Sequence, residues 1–157
     1  MRRADREVTD FNEIIDILSR CDTLRLGING GDYPYVVPLS FGFEVVGQTI
    51  IFYIHGAKDG LKHDLIAKNN KACVEASIFH KFTEIKQYNA MTTEYESFIG
   101  FGKAEIINGK AAAKGLDLIC EHAGFKGFDY GGEKALDATR IYKIVIERFT
   151  GKRRLVK

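Results

Sequence analysis

Apolar and polar positions along the chain change period several times, and each change predicts an element. Phe11, Ile14, Ile15 and Leu18 recur at helical spacing, and Asp10, with Glu13 three residues on, supplies a capping pair for the start of that helix. Residues 23–28 alternate as a half-buried strand does, and Asn29-Gly30-Gly31-Asp32 offers the positive-φ positions of a hairpin turn. A second strand is predicted over residues 35–45 and a turn at Val46-Gly47-Gln48. A buried strand follows over residues 49–55, where β-branched and aromatic side chains run together.

The period switches at His55. Gly56-Ala57-Lys58-Asp59-Gly60 reads as a loop, after which Leu61, Leu65 and Ile66 resume at helical spacing. Strands are predicted over residues 71–79 and 94–107, with Gly100 and Gly102 marking a bend or bulge in the second. Asn108 is placed to cap a helix over residues 110–123 that carries Leu116, Ile119 and Cys120 on one side. Beyond a loop containing Gly124, Gly127, Gly131 and Gly132, residues 141–147 alternate strongly, and Thr150-Gly151-Lys152-Arg153-Arg154 forms a basic tail. The sum is about six strands with three or four short helices. Tight turns between consecutive strands favour antiparallel pairing over crossover units. The expected fold class is therefore mainly β, a small closed antiparallel barrel with flanking helices.

Composition narrows the functions open to such a barrel. With 157 residues, 45% hydrophobic and 28% charged, the chain fits one domain over residues 1–157. A formal net charge of +2 provides no broad basic field for nucleic acid, so any anion needs a local site. No apolar run is long enough to span a bilayer or to form the core of a secretory signal. The expectation is a cytoplasmic protein with neither a membrane nor a nucleic acid as partner. Cys21, Cys73 and Cys120 lack the C-x-x-C spacing of a disulfide framework or zinc site. Cys73, among Ala72, Val74 and Ala76, and Cys120, on an apolar helix face, read as small core residues. No metal is expected, because His55, His63 and Asp64 do not have ligand spacing, and His63 reads as a helical surface residue.

Two stretches carry candidate chemistry. In the first, a strand delivers His55, glycines allow a close backbone approach, and a helix begins with its positive dipole end and Lys62 in the first turn. Those features suit a phosphate, although neither the Walker nor the dinucleotide spacing is present; the alternative is a solvated loop with a surface lysine. In the second, Pro34 and Pro38 fall within one predicted strand, which implies an edge, a bulge or a break in pairing. Backbone groups freed there could meet a planar heterocycle against Val36, Val37 and Phe41; the alternative is a barrel edge protected by proline.

Taken in order, Pro34-x-Val36-Val37-Pro38-x-x-Phe41, His55-x-Ala57-x-x-Gly60-x-Lys62 and Tyr95-x-Ser97-x-x-x-Phe101-Gly102 resemble the nitroimidazole-resistance (Nim-type) branch of the pyridoxamine 5'-phosphate oxidase-like flavoproteins. The resemblance runs from the first helix to about Lys152. It implies a six-stranded, FMN-binding split β-barrel that forms a homodimer with flavin sites at the subunit interface. It sets Val36, Val37, Pro38, Leu39 and Ser40 along the isoalloxazine ring and Lys62 on the FMN phosphate. Ala57 and Gly60 match the loop beneath the phosphoribityl chain, and Ser97 a polar position near the cofactor. His55 matches the histidine beside the flavin, both a cofactor contact and the catalytic residue, and Lys152 and Arg153 could add charge from the tail.

The activity so implied is that of an FMN-dependent oxidoreductase, taking electrons from an external donor and reducing nitroaromatic (5-nitroimidazole-like) or related small oxidised compounds. No arginine cluster matches the one that holds pyridoxal phosphate in other branches, which counts against pyridoxamine phosphate oxidation. The alternative is a non-catalytic flavin- or haem-binding stress or sensor protein of the same fold. A third reading is a barrel that binds single-stranded nucleic acid through exposed aromatics and Lys152-Arg153-Arg154; the weak net charge disfavours it.

Overall fold

The computed structural model describes residues 3–156. A two-residue strand, β1 (Glu7–Val8), precedes helix α1 (Phe11–Ser19); Asp10 caps α1, its carboxylate accepting from the Glu13 amide at 3.0 Å. Strands β2 (Leu24–Asn29) and β3 (Pro34–Leu39) form a hairpin, and β4 (Phe41–Val46) and β5 (Thr49–Ala57) form a second. Helix α2 (Leu61–Lys68) leads to the long hairpin of β6 (Lys71–Ile85) and β7 (Ala90–Ile107). Helices α3 (Gly109–His122) and α4 (Glu133–Ala138) precede the last strand, β8 (Thr139–Arg154).

All the pairings are antiparallel, and the sheet runs β3-β2-β6-β7-β8-β5-β4 with β1 added on β8. Its two outermost strands, β3 and β4, are consecutive in the chain and separated by Ser40 alone. The barrel therefore closes covalently, with the split at Ser40. Inside it, Leu24, Leu26, Phe41, Phe52, Ile54, Phe98, Tyr142 and Ile144 are buried in one continuous core. A Cβ on Gly42 would strike the backbone of Leu118, so the bare glycine lets α3 lie directly on β4.

The mainly β class with flanking helices is as expected, while the strand count is eight rather than six among the described residues. The strand expected over residues 35–45 is two strands, because Pro34 and Pro38 confine β3 to an edge and the chain changes pairing partner at Ser40. The strands expected over 71–79 and 94–107 extend to meet at a tight turn over Lys86–Tyr88. The expected bulge is present, with the β7–β8 register shifting between Phe101 and Gly102. The basic tail is not a tail: residues 150–154 are the end of β8, paired with β7. Asn108 occupies the N-cap position of α3, but its side chain makes no capping bond.

The cap of α1 gives the first test. Asp10→Ala leaves one helix-start amide without its acceptor, at a cost of about 1 kcal/mol, and lowers Tm by roughly 2–4 °C in a chain of this size. An unchanged melting curve would show that water replaces the cap at no cost.

Candidate functional site

One end of the barrel gathers the sequence-predicted chemistry. Phe41 pairs with Ile54, so the next residues outward are Ser40 and His55, and the split in the strand lies beside the end of β5. Beyond His55, Gly60 takes φ 143°, a conformation suited to glycine, and turns the chain into α2. Helix α2 plugs the barrel end with Leu65 and Ile66, and it faces the β2–β3 hairpin, where Leu61, Leu65, Tyr33 and Tyr35 help line a cavity of about 280 Å³.

Lys62 folds back along this turn. Its ammonium donates to the His55 carbonyl at 3.4 Å and occupies the space where a Cβ on Gly56 would stand. The ammonium has no carboxylate within ion-pair range among the described residues, and burial lowers its pKa. His55 is half-buried, and desolvation first, then the Lys62 charge, push its imidazole below the ordinary value. At neutral pH it is an uncharged ring, able to accept or donate one proton.

His63 corrects the expectation of a surface residue, for it is only 4% exposed. Its Nε2–H donates to the Ala57 carbonyl at 2.7 Å, a contact that fixes the tautomer and leaves Nδ1 to accept from the Tyr142 hydroxyl at 2.8 Å. Both nitrogens are thereby used in tying the loop to α2 and β8. Burial chiefly, with help from Lys62 and Arg140, keeps this ring neutral. The signal that sequence reading lacked is Tyr142, whose hydroxyl the fold brings from 79 residues away.

Of the five residues expected along a planar ring, Val36, Pro38 and Ser40 face outward, whereas Val37 and Leu39 pack against the core with Tyr35. Strict alternation imposes this. The ladder pairs β3 with β2 alone, so its outer edge is free, and the phase that sets the two prolines there turns the Val36 backbone groups to it and those of Val37 and Leu39 to β2. Val36, 61% exposed, also lines a groove of about 590 Å³ with Gly27, Cys73, Phe101 and Arg148, a volume in the range of small-molecule sites.

Ser97 does not join this group within one chain. It pairs with Ser77 on β6 and Lys152 on β8, and β2 and β6 stand between it and β3, roughly 14 Å at ordinary strand spacing. The Arg25–Glu75 ion pair, at 2.9 Å, lies across those intervening strands. Arg153 is likewise engaged elsewhere, with Glu96 and Glu13, while the Lys152 ammonium lies 5.9 Å from the Tyr95 ring centroid. The cysteines offer no activated thiol. Cys21 is buried and pushed up to about 11, and desolvation also raises Cys73 and Cys120, which are half-buried rather than core residues.

The donor set fits a flavin mononucleotide: an ammonium without a carboxylate, glycines that keep the turn open, and a free strand edge able to meet the polar rim of a ring. An antiparallel barrel split beside a basic turn also defines a class of protein. The chain belongs to the pyridoxamine 5'-phosphate oxidase family, whose model matches residues 10–153. It is similar to a candidate 5-nitroimidazole antibiotic resistance protein from Bacteroides thetaiotaomicron, with 28% identity and a TM-score of 0.81 over 93% of this chain and 85% of that one. An FAD and haem binding protein from Mycobacterium smegmatis shares the fold at 20% identity and a TM-score of 0.80, over 96% of this chain and 74% of that one. The flavocytochrome Anf3 from Azotobacter vinelandii does so at 19% and 0.79, over 99% and 72%. No curated protein matches the chain. No helix among the described residues is long and apolar enough to cross a membrane.

Proposed function

We propose that this chain is an FMN-dependent oxidoreductase acting on small oxidised compounds, with nitroaromatics of the 5-nitroimidazole type as the substrate class. The observation that carries this reading is the Lys62 ammonium, held over Gly56 beside His55 without a carboxylate partner. The likeness to the Bacteroides protein supports the substrate class. FMN, when bound, supplies the electron-transfer chemistry. Lys62 holds its phosphate, while Ala57 and Gly60 let the chain of the cofactor pass close to backbone. The free edge of β3 offers N–H and C=O groups to the ring, with Val36 giving apolar contact. Neutral His55 orients the substrate or holds a proton toward it.

The site is completed by a second copy of the chain. Ile99 and Phe101, each 39% exposed, continue the apolar outer face from Val36 and make a surface that a homodimer would cover. In that arrangement the partner could supply the polar position represented by Ser97. Sedimentation of the purified protein is expected to show a dimer at micromolar concentration.

The test of function is an absorption spectrum of purified protein after incubation with FMN, followed by consumption of reduced nicotinamide cofactor in the presence of a nitroimidazole. Flavin bands and steady turnover support the reading. A colourless protein removes it, and a Soret band, or flavin without turnover, moves the chain to the non-catalytic binders. His55→Ala is expected to retain FMN and to lose about 10²-fold or more in turnover, the range for a positioned acid or base. Full activity in that variant would leave His55 a structural residue.

A further inference from the structure

We propose that Arg140 is the second cation of the phosphate subsite, acting with Lys62 to select an organic phosphate monoester; this deepens the FMN reading and rests on it. In the β5–β8 ladder Arg140 is the direct partner of Gly56, and Thr139 that of Ala57. Opposed residues in an antiparallel ladder leave the sheet on the same face. Arg140 therefore starts out on the face where a Cβ of Gly56 would meet the Lys62 ammonium. One strand spacing, roughly 4.8 Å, separates the two backbones at that point.

The charges around this position are unbalanced. Arg140 lines a cavity of about 290 Å³ together with Lys58, Ile106, Asn108, Thr139 and Ile141, and no carboxylate contributes to its wall. Neither Arg140 nor Lys58 nor Lys62 takes part in an ion pair among the described residues. The Arg140 charge acts on Tyr142 and on the neighbouring His63, where burial first, and then Lys62 and Arg140, favour the neutral ring. Against the three cations around Gly56 and Ala57 stands the Asp64 carboxylate, which acts on His63 and Tyr142 but pairs with none of the three, so an entering anion lowers their mutual repulsion. A guanidinium matches a phosphate in two parallel N–H···O bonds, where an ammonium offers a point charge. Asn108, with no capping bond, and Thr139 add neutral polar groups to the same wall.

The experiment compares affinities for FMN and for riboflavin, which lacks the phosphate, by quenching of flavin fluorescence. Wild type is expected to favour FMN. Arg140→Gln should lose about tenfold or more of that preference, as fits one bond to a charged group, with riboflavin affinity unchanged. Arg140→Lys, which keeps the charge and better preserves the fold, should fall between. If Arg140→Gln and Arg140→Lys both retain the full preference while Lys62→Ala loses it, the FMN reading stands and the role of Arg140 is overturned. If wild type binds both flavins equally, the phosphate subsite itself is absent and both inferences fall.

Discussion

Replacing Glu96 by Ala is expected to lower the unfolding free energy by about 3 kcal/mol, the low end of the cost of breaking a buried ion pair. The low end applies because Arg20 and Arg153 are partly exposed and can recover water, whereas the Glu96 side chain is 4% exposed. Its carboxylate joins four elements: it accepts from Arg20 at the end of α1 at 2.7 Å, from Arg153 of β8 at 2.6 Å and from His80 of β6 at 3.1 Å, while sitting on β7 itself. Burial alone would raise its pKa, but these three donors pull it down to about 2 from 4.5. The sign follows from that direction. A carboxyl depressed in the folded state adds stability at pH above its unfolded value, and the contribution disappears as pH falls from about 4.5 toward 2. Wild type and Glu96→Ala should therefore differ by roughly 6–12 °C in Tm at pH 7 and converge in acid. A difference below 1 kcal/mol at pH 7, or one that does not shrink by pH 3, would show that the network is decorative.

That same carboxylate shows why part of the fold was hard to read. In the alternation of β7, Glu94 and Glu96 stand on the side that Phe98 and Ala104 turn to the core, where the sequence pattern calls for apolar residues. Their burial makes sense only with Thr83 and Lys81 beside Glu94, and with Arg20 and Arg153 beside Glu96, the last two 76 and 57 residues away. The extension of β6 and β7 beyond Phe79 and Glu94 escaped for a related reason. Phe82, Tyr88 and Met91 are largely exposed there, so no buried face imposes a period of two. By contrast, α1 and β5 were legible because their signals are local: a cap beside a helical stripe, and a β-branched run against the core. The split at Ser40 lies between these cases. Two prolines announced a pairing defect, but the change of partner from β2 to β5 is a property of barrel closure, which no short window contains.

The site divides along the same line. Lys62 and His55 stand out as candidates because glycines and a helix start surround them in sequence, while their neighbours His63, Tyr142 and Arg140 come together only as β8 returns beside β5 from more than seventy residues away. Spacing suggested a surface position for His63, and only the tertiary fold shows both of its nitrogens occupied.

Lys62→Ala should produce opposite effects on folding and on binding. In the chain without ligand, the ammonium makes one long bond, to the His55 carbonyl at 3.4 Å, and burial already disfavours its charge. Removing it relieves a partly desolvated cation near Arg140 and His55, so the melting temperature of the ligand-free protein should stay level or rise. FMN affinity should instead fall by roughly 10- to 100-fold, the worth of one charge-assisted contact, with riboflavin binding unaltered. Thermal unfolding of the ligand-free variant and flavin titration together separate the alternatives. A lysine kept for packing would lose stability and bind both flavins more weakly. A lysine kept for an anion leaves the fold intact and loses only the preference for the phosphorylated form, because the repulsion it adds among the cations at that barrel end is relieved when a phosphate arrives.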